Sequence, residues 1–450
     1  MIVLSGCAGN EEGSIACEGG QAAAGNIVSE GTQAEAADSI ASEGTQAEAT
    51  SESIADESEH GDIEQTQEEE PIQEEHQTLQ EADRTMEENQ VQEEDQKSET
   101  VPEQDMATTT PEAVLTGIEE RRIMAEASKD KPKADPVSKQ NFFFDTICQV
   151  TIYNMPDMSE ENADRLIQEV FSNCRKYENL LSKTVEGSDV WNINHAGGKK
   201  VKCDPETIEL LVRSEMYGKL TDGLFDVTIG GVQDLWDFHK ENRPVPPQPD
   251  DVKSAVAHVD YTEIEIDADE VRLKDPEAMI DLGGIAKGYI ADRITRELTD
   301  AGVSSAIINL GGNIVCVGSK ETAGGMSDFR IGIETPYSDR TQIVGAISLQ
   351  NRTVVTSGVY ERYFIYDGEE YHHILDPATG YPVSTDVLSV TIIADSGLSG
   401  DCDALATTCL LMGSEKGMAL IEQLDDFEAI FITRDGTLLQ TSGVTGFTEM

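Results

Sequence analysis

"RYFIYDGEEYHHIL", residues Arg362 to Leu375, is two alternating runs joined by Asp367-Gly368. Asp-Gly suits a two-residue type I′ turn, because both central residues of that turn need positive φ. The stretch therefore predicts a tight antiparallel hairpin. Counting outward from the turn, Tyr366 faces Glu369, Tyr363 faces His372 and Arg362 faces His373. Side chains alternate between the two faces of a strand, so His373 shares a face with Arg362, Phe364 and Tyr371. His372 lies on the opposite face, where it packs or meets solvent. A histidine on a strand is more often structural than catalytic. Geometry splits the pair without assigning chemistry.

Working outward, strand and helix periods interleave around this hairpin. "SEENADRLIQEVFSNCRKYENLLS", from Ser159, has apolar residues at Ala163, Leu166, Ile167, Val170, Phe171, Cys174, Tyr177 and Leu181, the spacing of one helix face. "CDPETIELLVRSEMYGKLTDG" opens with Asp204 as N-cap and Pro205 at the first helical position, and stops near Gly223. "IAKGYIADRITRELTDAG" is a helix closed by Gly302. "DCDALATTCLLMG" and "SEKGMALIEQL" are two more. Strand composition marks "NFFFDTICQVTIYN", "SSAIINLGGNIVCVG", "FRIGIETPY", "LSVTIIAD" and "FEAIFITRDG". "TDGLFDVTIG", from Thr221 to Gly230, reads as a helix stop leading into a strand. Hairpins mixed with helices give an α+β (mixed α/β) class rather than a sandwich, with room for two closely joined lobes.

The chain has 450 residues and a formal net charge of −55, which excludes a nucleic-acid binder. That charge is concentrated between Glu11 and Asp135, where Glu, Gln, Ser, Thr and Ala dominate and "SEGTQAEA" occurs at Ser29 and again at Ser42. Such a segment cannot bury enough apolar surface to offset chain entropy. Residues 8–138 are expected to be a disordered acidic linker, with at most a short helix at Ala113 to Ala127, and residues 139–450 the folded domain. Residues 1–7 end in "LSGC", which is similar to the lipobox of bacterial lipoproteins. That resemblance implies lipidation of Cys7 and an extracytoplasmic domain held to the bacterial cell membrane by its lipid alone, although only six residues precede Cys7. The eight cysteines include no CxxC pair, so small buried thiols are expected rather than a zinc site or a disulfide framework.

Several segments after the linker carry polar groups at functional spacings. In "GDCDALATT", Asp403 and Thr407 stand at i and i+4 on one helix face. Together they suit a hard cation such as Mg²⁺, which takes few protein oxygens and fills the rest with water and phosphate. The simpler reading is that Asp403 meets first-turn amides and Thr407 bonds back along the helix. "DLGGIAKGYIAD", from Asp281, is a Gly-Gly turn entering a helix with Lys287 in its first turns, a place where an anion settles. "NLGGN" and "TSGVYERYF" end strands in small residues. Neither a P-loop nor a G-x-G-x-x-G turn is present. Each of these segments alone is weak.

In this order, "TDGLFDVTIGG", "DLGGIAKGYIAD", "NLGGN", "TSGVYERYF", "HILDPATGYPV" and "DALATT" together resemble the ApbE family, the FAD:protein FMN transferases. The resemblance implies Mg²⁺-dependent breakage of the FAD pyrophosphate, with FMN passing to a threonine hydroxyl of a target flavoprotein and AMP released. It implies that Asp403, Thr407 and the Gly284 carbonyl hold the metal, and that His373 assists the acceptor hydroxyl. Asp281 and Lys287 would contact the dinucleotide. Leu224, Phe225, Asp226, Ser357, Gly358 and Leu375 would line its site, with Phe144 against the flavin. Three positions depart from the family pattern. Thr184 stands where several members stack an aromatic ring, Ala406 where some carry a second acid, and Asn313 where an acid often follows Gly-Gly. Two other functions would use the same pocket: an FAD pyrophosphatase, in which water replaces threonine, and a flavin-binding lipoprotein without chemistry.

Overall fold

The computed structural model describes residues 2–4, 135–238, 245–322, 325–338 and 341–450. Cys7, the acidic stretch and the helix expected at residues 113–127 lie outside the described residues. All described residues belong to one compact unit. Its centre is an eight-stranded sheet in the order Leu438–Gln440, Glu428–Thr433, Val387–Asp395, Arg352–Gly358, Asn313–Val317, Ser305–Leu310, Thr146–Asn154 and Val137–Phe143. Every neighbouring pair in it is antiparallel. The first of these strands in the chain begins at Val137, two residues ahead of the expected boundary.

Both faces of the sheet are covered, which is why its central strands read as unbroken apolar runs. Ala306, Ile308, Val315 and Val317 join the main core under the helices. Their neighbours Ile307, Ile314 and Cys316 point the other way, against Phe329, Ile331 and Ile347 of a smaller sheet. In that smaller sheet, Phe329–Glu334 lies between Ile2–Leu4 and Ile343–Leu349, and Phe447–Glu449 completes it. The six described cysteines are free and buried. Burial pushes the Cys148, Cys203 and Cys316 thiols up to about 12.

The helices are α1 Glu160–Leu181, α2 Asp189–His195, α3 Pro205–Leu220, α4 Gly230–Trp236, α5 Pro249–Val256, α6 Ala286–Asp300, α7 Ser399–Met412 and α8 Ser414–Ile421. In α1 the buried positions are Ala163, Leu166, Ile167, Val170, Phe171, Cys174, Tyr177 and Leu181, the face expected from the spacing. Asp204 caps α3 by accepting from Glu206 N, with Pro205 opening the helix. One expectation is corrected. Thr221 to Gly230 forms a loop that turns directly into α4, and its one β-bridge is the isolated pairing of Ile229 with Met279. Local polar bonds compete with the strand there. Asp226 Oδ1 accepts from Thr228 N at 2.8 Å, and Thr221 Oγ1 accepts from Phe225 N at 2.9 Å.

The hairpin of Tyr363–Tyr366 and Glu369–His372 has the expected register, Tyr363 opposite His372 and Tyr366 opposite Glu369. Its turn residues Asp367 and Gly368 have φ of 50° and 84°, as a type I′ turn requires. Phe364 and Tyr371 stack at 5.3 Å, and Tyr371 sits 5.5 Å from Trp236 of α4. Aromatic pairs at such spacings contribute roughly 0.5–1.5 kcal/mol beyond their burial, and they seat the hairpin on α4.

Candidate active site

Three structural units converge on one cleft of about 1050 Å³. The Gly-Gly loop and first turn of α6 form one wall. Asp281 ties this loop down: its N–H donates to Val227 O at 2.7 Å, Oδ1 accepts from Gly283 N at 2.8 Å, and Oδ2 pairs with Lys183 at 2.9 Å. Burial alone would raise its pKa. The Lys183 ammonium and the Gly283 N–H outweigh that and hold it below the ordinary carboxylate range. Lys287 follows one turn on, its Nζ 3.2 Å from Gly283 O.

Helix α7 supplies the second unit. Asp403 is 2 % exposed, and its Oδ2 accepts from Gly288 N at 3.0 Å. Thr407 lies one turn further along. A Cβ built on Gly284 would stand 3.7 Å from Thr407 Oγ1, an ordinary contact that shows how near the loop comes to α7, and a tight 3.2 Å from the Phe225 ring. Among the described residues no three His, Cys, Asp or Glu side chains form a metal-binding group. The donors on offer are one carboxylate, one hydroxyl and one carbonyl. That sparse all-oxygen set fits Mg²⁺, which keeps waters and takes phosphate oxygens, and does not fit zinc or iron.

The third unit is the base of the hairpin. His373 N donates to Arg362 O at 3.1 Å, and its Nδ1 lies 3.3 Å from the same carbonyl. A carbonyl only accepts, so this contact keeps the proton on Nδ1 and leaves the Nε2 lone pair open. The His373 carbonyl accepts from Gln233 Nε2 of α4 at 3.2 Å. Burial first, then the Arg362 guanidinium and His372, press the His373 imidazole down to about 3. It is neutral at any physiological pH. His372 is 2 % exposed, on the opposite face, and packs rather than meeting solvent.

Of the residues singled out in the sequence, His373, Phe144, Leu224, Phe225, Asp226, Asp281, Gly284, Lys287, Ser357, Leu375, Asp403 and Thr407 all line this cleft. Gly358 does not. It is buried at the end of its strand, where a Cβ would press on the Tyr360 ring at 2.7 Å. Asp226 borders the cleft, but its carboxylate is engaged in building the loop, accepting from Thr228 N, Thr228 Oγ1 and Tyr261 N. Phe144 occupies the turn between the first two strands of the large sheet and, with Asp145, has positive φ. That conformation is costly for a bulky side chain, and it places Phe144 at the rim. Thr184 and Asn313 also line the cleft. Ala406 is fully buried in the core.

Sequence reasoning missed Lys183 and Glu361. Lys183 pairs with both Asp281 and Asp234 and sits in no recognisable motif. Glu361 had a signal, an acid next to Arg362 inside "TSGVYERYF". It faces the water of the open cleft yet is hemmed in by protein, which pushes its carboxyl up to about 7 against the pull of Lys287 and Arg362.

The sequence profile of the ApbE family matches residues 144–431. The chain is 34 % identical over 320 residues to an FAD:protein FMN transferase of Treponema pallidum (strain Nichols), covering 68 % of this chain and 87 % of the relative. It is 36 % identical over 283 residues to one of Klebsiella pneumoniae (strain 342), covering 62 % and 85 %. Among solved structures, the ApbE protein from Thermotoga maritima superposes with a TM-score of 0.62 at 29 % identity, over 68 % of this chain and 97 % of that one. The flavin transferase ApbE from Vibrio cholerae gives 0.60 at 27 % identity, over the same shares of the two chains.

Proposed function

Because the chain belongs to the ApbE family, we propose that it transfers the FMN half of FAD to a threonine hydroxyl of a target flavoprotein, with Mg²⁺ bound and AMP released. One observation carries this reading: residues scattered from Phe144 to Thr407 in the sequence meet around a single cleft. In the transfer, the threonine oxygen forms a bond to the phosphorus on the FMN side of the pyrophosphate. The P–O bond to AMP breaks, and AMP leaves with the bonding electron pair. The threonine proton passes to Nε2 of His373, which is neutral and already oriented through Nδ1. Phosphoryl transfer needs alignment and charge neutralisation more than covalent help, and Lys287 brings positive charge to the α6 wall. Asp403, Thr407 and the Gly284 carbonyl would hold Mg²⁺, which supplies Lewis-acid polarisation of the phosphate oxygens.

The test is direct. Purified protein is incubated with FAD, Mg²⁺ and a candidate flavoprotein, and the acceptor is weighed by mass spectrometry. Covalent gain of FMN at a threonine supports transfer. Free FMN without acceptor modification would make the protein a pyrophosphatase, and neither product would make it a binder. We further propose, from the lipobox resemblance of "LSGC" alone, that the domain lies outside the cytoplasm, anchored through Cys7 with the acidic stretch as the tether.

A further inference from the structure

Helices α6 and α7 start without help from their own sequences: neither N-cap residue, Ile285 or Leu398, makes a side-chain capping bond. The first amides of a helix need acceptors from somewhere. Here each helix receives its acceptor from the other. Asp403 of α7 accepts from Gly288 N, in the first turn of α6. Asp292 of α6 accepts from Ser399 N and Gly400 N, the first two residues of α7, each at 2.9 Å. This exchange is possible because the backbones touch. A Cβ on Gly288 would fall 2.0 Å from Ser399 O.

One partner in the exchange, Asp403, faces the cleft; the other, Asp292, does not. We propose that Asp292 is a positioning residue for the metal ligands: by gripping the two leading amides of α7 it fixes that helix along α6, and so sets Asp403 and Thr407 opposite the Gly284 carbonyl. The inference rests on the Mg²⁺ reading given above. Only the carboxylate form accepts from both amides. Burial raises its pKa to about 7, partly countered by those amides, while Asp401 adds to the rise and Arg213 opposes it. The charged and titratable groups facing it are thus Arg213 of α3 with Asp401 and Cys402 of α7. The grip is nearly complete at about pH 8, half lost near pH 7 and weaker below it.

The experiment measures the Mg²⁺ concentration that half-saturates FAD binding to the full chain, followed by flavin fluorescence between pH 8 and pH 6. Asp292→Asn, which keeps one acceptor oxygen, is expected to raise that concentration roughly 10–100-fold at pH 8, the usual loss when a group supporting a metal ligand is altered. Its value should no longer vary across the range, and excess Mg²⁺ should restore transfer. Wild type should drift toward the Asp292→Asn value as pH falls. The drift should persist in Glu361→Gln, which removes the other carboxyl pushed up to about 7. Half-saturation in Asp292→Asn equal to wild type at every pH would overturn the proposal. Should that variant fail to fold, a pH-independent half-saturation in Glu361→Gln would overturn it equally. Asp403→Ala, measured alongside, separates the two ideas: Mg²⁺ dependence unchanged there sinks the metal reading itself.

Discussion

His373 is oriented by its own neighbour, since the Arg362 carbonyl takes both its backbone N–H and its Nδ1 proton. With its pKa pressed down to about 3, it is neutral near pH 7, the form that can accept a proton. His373→Ala is expected to leave FAD binding largely intact and lower transfer at least about a hundredfold, the lower range for losing general-base help. A fluorescence titration with a single-turnover assay checks both halves. Equal losses for His372→Ala and His373→Ala would refute the assignment. Asp403→Ala should weaken Mg²⁺-dependent retention of FAD, read as a rightward shift in a Mg²⁺ titration. At this scale the sequence was informative where spacing is local: the hairpin count follows from a turn type and a period of two. Lys183 was out of reach, because its partners Asp234 and Asp281 are set by loops distant in the chain.

Helices α6 and α7 cross where a side chain has no room. Gly288→Ala must push the Ser399 carbonyl aside, and overpacking of this kind costs about 1–3 kcal/mol. Urea unfolding should give a lower midpoint with an unchanged slope, alongside weaker Mg²⁺ dependence. A midpoint equal to wild type would mean the crossing is slack. The helices themselves were legible. The eight buried positions of α1 follow from its periodicity, and Asp204-Pro205 announces the start of α3. Thr221 to Gly230 was misread because its β-branched residues favour a strand, whereas Asp226 and Thr221 bind nearby backbone amides. Side-chain competition of this sort has no periodic signature.

At the scale of the molecule, pairing order was the least legible feature. The strands could be found by composition, but no local signal places Arg352–Gly358 between Asn313–Val317 and Val387–Asp395. On the proposed anchoring, Cys7→Ser should release the protein from the membrane fraction and leave flavinylation of a soluble acceptor unchanged. Fractionation with immunoblotting checks this, and retention of the variant on membranes would remove Cys7 from consideration. The cleft draws its walls from Phe144 through Leu411, nearly the whole length of the family match. Contacts so far apart in sequence close late, since loop entropy must be overcome before they form. During synthesis, then, the growing polypeptide cannot complete this cleft until Leu411 has been made. On the proposed function FAD would then arrive as a latecomer, and by mass action would hold together a topology that it had no part in starting.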